Sequence, residues 1–140
     1  ELITRFKINQ SEVIYIDKFQ GLFSQKTHEN RKEELAFIIR ELKQLITQHK
    51  TSLIISSSAN KVKKPLGFLE QQLSDLRDYG ILEEMADNIL LFTRYEYYGI
   101  QEDEEGNNIN GLTNVKHLKN RFGQPAEFEL NFNKKIPYFK

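Results

Sequence analysis

Side chains with oxygen atoms follow two short apolar runs, where they could bind a metal ion or a phosphate. Asp17 ends the apolar run at 12–17, and a carboxylate at the end of a strand can bind hydrated Mg²⁺ and so orient a phosphate. The structural alternative is an aspartate that ends the strand and caps the next turn. A second apolar run, at 52–57, leads into three consecutive serines, whose hydroxyls could bind phosphate or water: Ser56, Ser57 and Ser58.

Basic side chains occur in two loop-like segments that could contact phosphates. The segment at 59–73 carries three closely spaced lysines, which by themselves favour a solvated loop but could also neutralise a phosphate backbone: Lys61, Lys63 and Lys64. The sequence SDLRDYG at 74–80 carries Arg77, which could bind a phosphate or form a salt bridge with Asp75 or Asp78.

A third basic group stands near the end of a later apolar segment. Lys119 and Arg121 alternate there, so we expect both side chains to project to one side of a strand end. Two outward cations suit phosphate recognition, including recognition across a subunit boundary. The alternative is a sheet edge that is protected by charge.

The elements that must position these residues begin with a strand, a long helix and a second strand. Residues 12–17 and 52–57 are predicted strands, and apolar residues at helical spacing predict a helix from Asn30 to about His49. Glu33 stands three residues after Asn30, as in a capping box. A βαβ unit has parallel strands, so Asp17 and the serines should lie side by side at the carboxyl edge, where open α/β sheets bind ligands.

The remaining chain predicts a short helix and several strands. A helical turn at 81–86 precedes a third buried strand at 88–94, expected beside the first two. Residues 99–111 are acidic and rich in Asn and Gly, as in a solvated hairpin tip. Antiparallel strands are predicted at the end of the chain: 112–119, 126–132 and 136–139. We therefore predict an α/β fold forming a single domain over 1–140, with a parallel sheet, helices and C-terminal antiparallel strands.

Composition excludes several classes of function. The 140 residues carry 20 basic and 20 acidic side chains, so any surface for nucleic acid must be local. The chain contains no cysteine, which excludes disulfides and thiolate chemistry. No apolar run reaches the length of a membrane span. The histidines are scattered, giving neither a metal site nor a base beside the serines: His28, His49 and His117.

Several segments together resemble, in order, the C-terminal RecA-like motor domain of DnaB-type replicative DNA helicases. The resemblance covers most of residues 10–140. The Walker B segment is represented by VIYIDKFQGL, the sensor strand by LIISSSANK and the final block by KNRFGQPAEFELNF. The most specific match is SDLRDYGILEEMADNILLFTRYEYY, which is close to the family's SDLRESGSIEQDAD block, its following apolar strand and its Arg-x-Glu-Tyr-Tyr end.

This resemblance implies a partial RecA-like P-loop NTPase core that uses ATP and Mg²⁺ in a cytoplasmic protein. Asp17 would hold the Mg²⁺ of bound ATP, with Ser57 and Ser58 beside the nucleotide. Lys119 and Arg121 would reach the nucleotide of a neighbouring subunit, Arg121 as an arginine finger. The other implied partners are single-stranded DNA, further copies in a homo-hexamer, a primase and a helicase loader. Two channel loops would bind the DNA, one with Arg77, Asp78 and Gly80 and the other with Lys61, Lys63 and Lys64.

The sequence departs from the family pattern at several positions. No G-x-x-x-x-G-K-[ST] loop occurs, and we expect it, with the catalytic Glu, to lie before Glu1 in a longer protein. Ser58 stands where the family usually places a Gln that senses the γ-phosphate. Phe122 replaces the usual Asn, Lys18 replaces an aromatic residue, and the hairpin at 99–111 is lengthened. These departures are typical of a divergent helicase from a mobile element or phage, or of a paralogue with weakened catalysis.

Three functions remain open at this point. The first is a fragment of an ATP-dependent replicative helicase, inactive by itself. The second is a RecA-like module that binds DNA or assembles with partners without hydrolysing ATP. The third is an unrelated α/β enzyme that uses Asp17 at its sheet edge. A sheet cut before its phosphate-loop strand should also expose an edge, which predicts self-association or low stability.

Overall fold

The computed structural model describes residues 12–58 and 80–140, which form two compact units. The described residues up to Met85 belong to the first unit, and those from Ala86 onward belong to the second. The expectation of a single domain over 1–140 remains a prediction. In the described part of the chain, no helix is long and apolar enough to cross a membrane.

The first unit contains the predicted βαβ arrangement. Strand β1 spans Val13–Ile16, helix α1 spans Arg31–His49 and strand β2 spans Ser52–Ile55. The two strands are parallel, with Val13 opposite Ser52 and Ile16 opposite Ile55. A short helix, α2, spans Gly80–Met85 and matches the helical turn expected at 81–86. The parallel pairing confirms that both strands end at the same edge.

Helix α1 begins where its capping residue predicts and buries one apolar face. The side chain of Asn30 accepts a hydrogen bond from the backbone N–H of Glu33 at 2.9 Å, satisfying a donor that the first helical turn leaves free. Lys50 ends the helix in the left-handed conformation, with φ at 52°. The buried core combines Phe19, from a 3₁₀ turn at Phe19–Gly21, with four residues of α1: Leu35, Ile38, Ile39 and Leu42.

The second unit is an antiparallel sheet of four strands in the order β3-β4-β5-β6. Strand β3 spans Asn88–Arg94 and is followed by a 3₁₀ turn at Tyr95–Tyr98. The other strands confirm the antiparallel end of the chain, at Leu112–Asn120 for β4, Ala126–Asn133 for β5 and Tyr138–Phe139 for β6.

The position predicted for β3 beside the first two strands is wrong for the described residues. The structure pairs β3 with β4, and β1 and β2 form a separate two-stranded sheet. Leu91 and Thr93 are buried, but Leu90 and Phe92 are about half exposed, so only one face of β3 is covered. A continuous apolar run indicates a strand without identifying its neighbour, which explains the error.

Strand β4 contains a bulge near its carboxyl end. Ile89 lies opposite Lys119, whereas the next residue of β3, Leu90, lies opposite His117. Leu118 is therefore an extra residue on β4. A bulge of this kind bends a strand and changes the direction of the side chains beyond it.

The acidic segment between β3 and β4 is a solvent-exposed tip, as predicted. Residues 101–108 are exposed, and an isolated bridge joins Glu102 to Asn108. Hydrogen bonds from the side chain and backbone of Asn107 lower the pKa of Asp103. The Asp103 carboxylate therefore stabilises this turn by accepting hydrogen bonds from residues of the same turn.

Candidate functional site

The carboxyl edge of β1 and β2 brings Asp17 and Ser56 into direct contact. The hydroxyl of Ser56 donates to Asp17 Oδ1 at 2.6 Å and accepts a hydrogen bond from the backbone N–H of Lys18 at 2.9 Å. One hydroxyl therefore fixes the carboxylate and the backbone that follows it. The sequence prediction that Asp17 and the serines lie side by side is confirmed for this pair.

The backbone turns sharply immediately after Asp17. Lys18 adopts the left-handed conformation, with φ at 57°, which is uncommon for a residue with a side chain. Two backbone hydrogen bonds hold the turn against β2, from Ser56 N to Ile16 O at 3.0 Å and from Phe19 N to Ser56 O at 2.9 Å. These paired backbone groups hold the strained turn, and with it Asp17, at the sheet edge.

Gln20 adds an amide to the same edge. Its Nε2 donates to the Ser57 hydroxyl at 2.8 Å and to the backbone carbonyl of Ser58 at 3.3 Å. Its Oε1 is buried and accepts no hydrogen bond from the described residues. Gln20 is not among the site residues predicted from the sequence. A polar residue three positions after Asp17, beside the buried Phe19, is the signal that could have identified it.

The donor set at this edge fits Mg²⁺ held through a nucleotide. Among the described residues, no group of three or more His, Cys, Asp or Glu side chains could hold a metal ion. Mg²⁺ in nucleotide sites usually retains water and binds only one or two carboxylates together with substrate phosphates. Asp17 can supply that single carboxylate, and the hydroxyl of Ser56 lies next to it.

An ion pair at the start of α1 holds the segment that connects this edge to the helix. The Glu34 carboxylate accepts a hydrogen bond from Ser24 N at 2.7 Å and pairs with Arg31. The guanidinium of Arg31 also donates to the carbonyls of Gln20 at 2.7 Å and Leu22 at 2.5 Å. The Ser24 hydrogen bond and then the Arg31 contact lower the pKa of Glu34. Gln20 is thus anchored from α1.

In the second unit, Arg121 lies one residue beyond β4 and contacts Asp87. Its Nη1 donates to Asp87 Oδ1 at 2.6 Å, and its backbone N–H donates to the Asp87 carbonyl at 3.0 Å. Asp87 lies one residue before β3. Asp87 is not among the site residues predicted from the sequence. A carboxylate directly before one strand and an arginine directly after its antiparallel neighbour are the signal that predicts such a pair.

Lys119 differs from Arg121 in its setting. It lies within β4 opposite Ile89 and is partly buried, whereas Arg121 lies in the exposed turn that follows. The expectation that the two cations project together to one side remains a prediction.

Arg94, in the Arg-x-Glu-Tyr-Tyr segment, is held by aromatic rings and a carboxylate. Its guanidinium lies 4.0 Å from the ring centroid of Phe132 and 4.5 Å from that of Tyr97. Glu96 pairs with Arg94 and also with Lys134, whose Nζ lies 2.5 Å from Oε2. These contacts connect the turn after β3 to the end of β5.

Most of the predicted DNA-binding residues lie outside the described residues. This applies to five residues: Lys61, Lys63, Lys64, Arg77 and Asp78. Gly80, the remaining member of that set, is the first residue of α2. Its backbone is therefore helical at the point where the predicted loop ends.

Curated relatives of this chain are replicative helicases. A probable plasmid replicative DNA helicase from Chlamydia psittaci is 33% identical over 122 residues, covering 87% of this chain and 25% of the relative. The replicative DNA helicase DnaB from Haemophilus influenzae is 28% identical over 127 residues, covering 91% of this chain and 26% of the relative. The chain therefore spans about a quarter of the length of these relatives.

Solved structures and a family model give the same result. A solved structure described as an ATPase domain has a TM-score of 0.79 and 25% identity, covering 97% of this chain and 47% of the other. A DnaB-like replicative helicase, described with its interactions with primase, has a TM-score of 0.75 and 26% identity, covering 95% and 32% respectively. The family model of the DnaB-like helicase C-terminal domain matches residues 2–140, and the chain belongs to that family.

Proposed function

We propose that this chain is the C-terminal part of the motor domain of an ATP-dependent replicative DNA helicase. The parent protein moves along single-stranded DNA and unwinds duplex DNA as a homo-hexameric ring in the cytoplasm. The observation that carries this proposal is the contact between Asp17 and Ser56 at the carboxyl edge of a parallel βαβ unit. Membership of the DnaB-like family supports a nucleotide as the ligand of that edge.

Asp17 is the residue that would hold Mg²⁺, which neutralises charge on the nucleotide phosphates when bound. The Ser56 hydroxyl orients Asp17, and Gln20 orients Ser57 towards the same edge. Ser57 and Ser58 would donate hydrogen bonds to phosphate oxygens or to the attacking water. The phosphate-cradling glycine-rich loop would come from sequence before residue 1.

Arg121 and Lys119 act, in this proposal, on the nucleotide of the neighbouring subunit. A guanidinium offers several N–H donors in a planar fork that matches phosphate oxygens, and an arginine finger stabilises the charge of the transition state. The exposed position of Arg121 beyond β4 suits a role across a subunit boundary. The ring would be required because each nucleotide site then needs two subunits.

Single-stranded DNA would bind to the two segments that carry Lys61, Lys63 and Lys64, and Arg77, Asp78 and Gly80. Nucleotide hydrolysis would move these segments and so transport the strand. A primase and a helicase loader are the proposed protein partners. The first is supported by the similar helicase structure that is described with its interactions with primase.

The decisive experiment measures ATP hydrolysis by the parent protein with and without single-stranded DNA. We expect Mg²⁺-dependent turnover stimulated by DNA, a gene that encodes a glycine-rich lysine loop before residue 1, and a loss of about 10³-fold in kcat for Arg121→Ala. Asp17→Asn should raise the Mg²⁺ concentration needed for half-maximal turnover. Normal turnover of both variants would contradict the proposal.

The second candidate function is a RecA-like module that binds DNA or assembles with partners without hydrolysing ATP. Ser58, at the usual position of a γ-phosphate-sensing Gln, favours it because a serine hydroxyl has a shorter reach. Undetectable single-turnover hydrolysis by the parent protein, with intact DNA binding, would support this second function over the first.

A further inference from the structure

We propose that Asp87 is the positioning residue for Arg121, orienting its guanidinium towards the nucleotide of the neighbouring subunit. This inference rests on the proposed function, because it assigns Asp87 a role in the reaction that Arg121 would serve. Two contacts support it. Arg121 Nη1 donates to Asp87 Oδ1 at 2.6 Å, and the Arg121 backbone N–H donates to the Asp87 carbonyl at 3.0 Å.

The backbone contact fixes the point from which Arg121 extends. It continues the β3–β4 ladder by one step beyond the pair Asn88 and Asn120. Asp87 is therefore tied to the sheet at the same place where Arg121 leaves it. The backbones of the two residues are therefore held together, which keeps the Asp87 carboxylate within reach of the Arg121 side chain.

The side-chain contact limits the freedom of an otherwise exposed arginine. The Arg121 side chain is 64% exposed and that of Asp87 is 34% exposed. A long side chain in solvent loses rotamer freedom when it binds a phosphate, and a contact made beforehand reduces that loss. The Asp87 contact uses Nη1, and a guanidinium carries further N–H donors that can contact a γ-phosphate.

Because the ion pair is exposed, an effect on the orientation of Arg121 can be distinguished from an effect on the stability of the fold. Ion pairs exposed to solvent contribute little to the free energy of unfolding. Removing the Asp87 charge should therefore change the orientation of Arg121 much more than it changes folding. A reduced kcat without a matching fall in melting temperature is the signature of a positioning residue.

The test uses the full-length parent protein and measures kcat and KM for ATP in the presence of single-stranded DNA. We expect Asp87→Asn to lower kcat by about 10- to 100-fold, as for a misplaced catalytic group, with KM and ring assembly unchanged. Asp87→Glu should restore part of the rate. The double variant with Arg121→Ala should be no slower than Arg121→Ala alone, because the two residues then act as one unit.

The matched control is Glu127→Gln, which removes another carboxylate from the same sheet. Glu127 lies on β5 and forms an ion pair with Lys116 at 3.5 Å, away from Arg121 along β4. We expect this variant to keep the wild-type kcat. Ring assembly is measured by light scattering and folding by thermal melting for every variant.

Four outcomes would overturn the inference, and they are distinguishable. If Arg121→Ala turns over ATP normally, the role of Arg121 in the proposed function fails, and the positioning role fails with it. If Arg121→Ala is impaired but Asp87→Asn is normal, only the positioning role is wrong. If the losses of the two single variants multiply in the double variant, or if Asp87→Asn loses ring assembly, Asp87 does not act through Arg121.

Discussion

One serine hydroxyl links the two strand ends of the first unit. Ser56 donates to Asp17 and accepts from the backbone of Lys18, so a single side chain sets both the direction of the carboxylate and the turn after it. A substitution at Ser56 would therefore affect a bound metal indirectly, through the position of Asp17. The serine has a structural task that does not require it to contact the nucleotide itself.

Glu34 gives a pH-dependent prediction at the residue scale. Its pKa is lowered in the folded state, first by the Ser24 hydrogen bond and then by Arg31. A lowered folded-state pKa stabilises the fold above the ordinary pKa of glutamate, and this stabilisation is lost as the pH falls through the lowered value. We expect the difference in unfolding free energy between wild type and Glu34→Gln to be largest at neutral pH.

That difference should shrink as the pH falls below the ordinary pKa of glutamate, and urea unfolding at a series of pH values measures it. In the Arg31→Ala variant, the pH range over which Glu34 stabilises the fold should be narrower, because one of the two contacts that favour the carboxylate is then absent. A difference between wild type and Glu34→Gln that stays constant from neutral to acid pH would contradict this assignment.

Contacts between residues close in sequence, or between strand ends that a βαβ unit brings together, could be predicted from the sequence, whereas other distant contacts were missed. Asn30 caps a helix through Glu33, three positions away, and sequence spacing reveals such a contact. Asp17 and Ser56 were predictable because a βαβ unit fixes which strand ends meet. Gln20 and Asp87 were missed because their partners, at Ser57 and Arg121, depend on the path of the chain between elements.

At the scale of elements, Gly111 controls how β4 begins beside β5. Its φ is +83°, and a Cβ added there would lie 2.9 Å from the backbone carbonyl oxygen of Phe132. The backbone N–H of Phe132 donates to the Gly111 carbonyl at 2.8 Å, so the two chains are held close. A side chain at Gly111 would have to adopt a strained backbone and separate these strands.

We expect Gly111→Ala to lower the unfolding free energy by about 2 kcal/mol or more, since backbone strain and a backbone clash combine. Gly106→Ala is the matched control, because Gly106 has the same φ of +83° but nothing within 4 Å of the added Cβ. It should cost only the strain of an L-residue in the left-handed conformation, about 1 kcal/mol. Equal destabilisation of the two variants, measured by denaturant unfolding, would show that the close approach to Phe132 is unimportant.

The elements themselves were largely predictable, whereas one of their pairings was not. Apolar periodicity predicted α1 almost to the residue, and the strand predicted at 126–132 is β5, observed at Ala126–Asn133. Strand β3 was identified correctly but assigned the wrong neighbour. Sequence patterns report the environment of a strand, whereas pairing depends on which other strands compete for its edge.

At the scale of the whole molecule, an uncovered apolar face predicts self-association. The two-stranded sheet of the first unit exposes large apolar side chains on one face: Val13 at 54%, Tyr15 at 63% and Ile54 at 55%. Adjacent exposed apolar side chains favour association. We expect the 140-residue chain to form concentration-dependent oligomers in size-exclusion chromatography with light scattering.

Replacing Tyr15 and Ile54 by lysine should shift the chain towards monomer. The matched control replaces Phe23 by lysine, because Phe23 is 76% exposed but lies outside both strands. If the variant with both Tyr15 and Ile54 replaced forms the same oligomers as wild type, the chain associates through a different surface.

The bulge in β4 has a consequence for how this sheet can diverge. Because Leu118 is an extra residue, Lys119 shares a face with Lys116, whereas simple alternation from Val115 would place it on the face of Val115. Gaining or losing one residue at the bulge moves every later side chain of β4 to the opposite face of the sheet. The packed half of the strand before the bulge is unchanged. Adding or removing one residue at the bulge is therefore a separate route by which related sequences can diverge. It would redirect the cationic end of β4 without any change in the core.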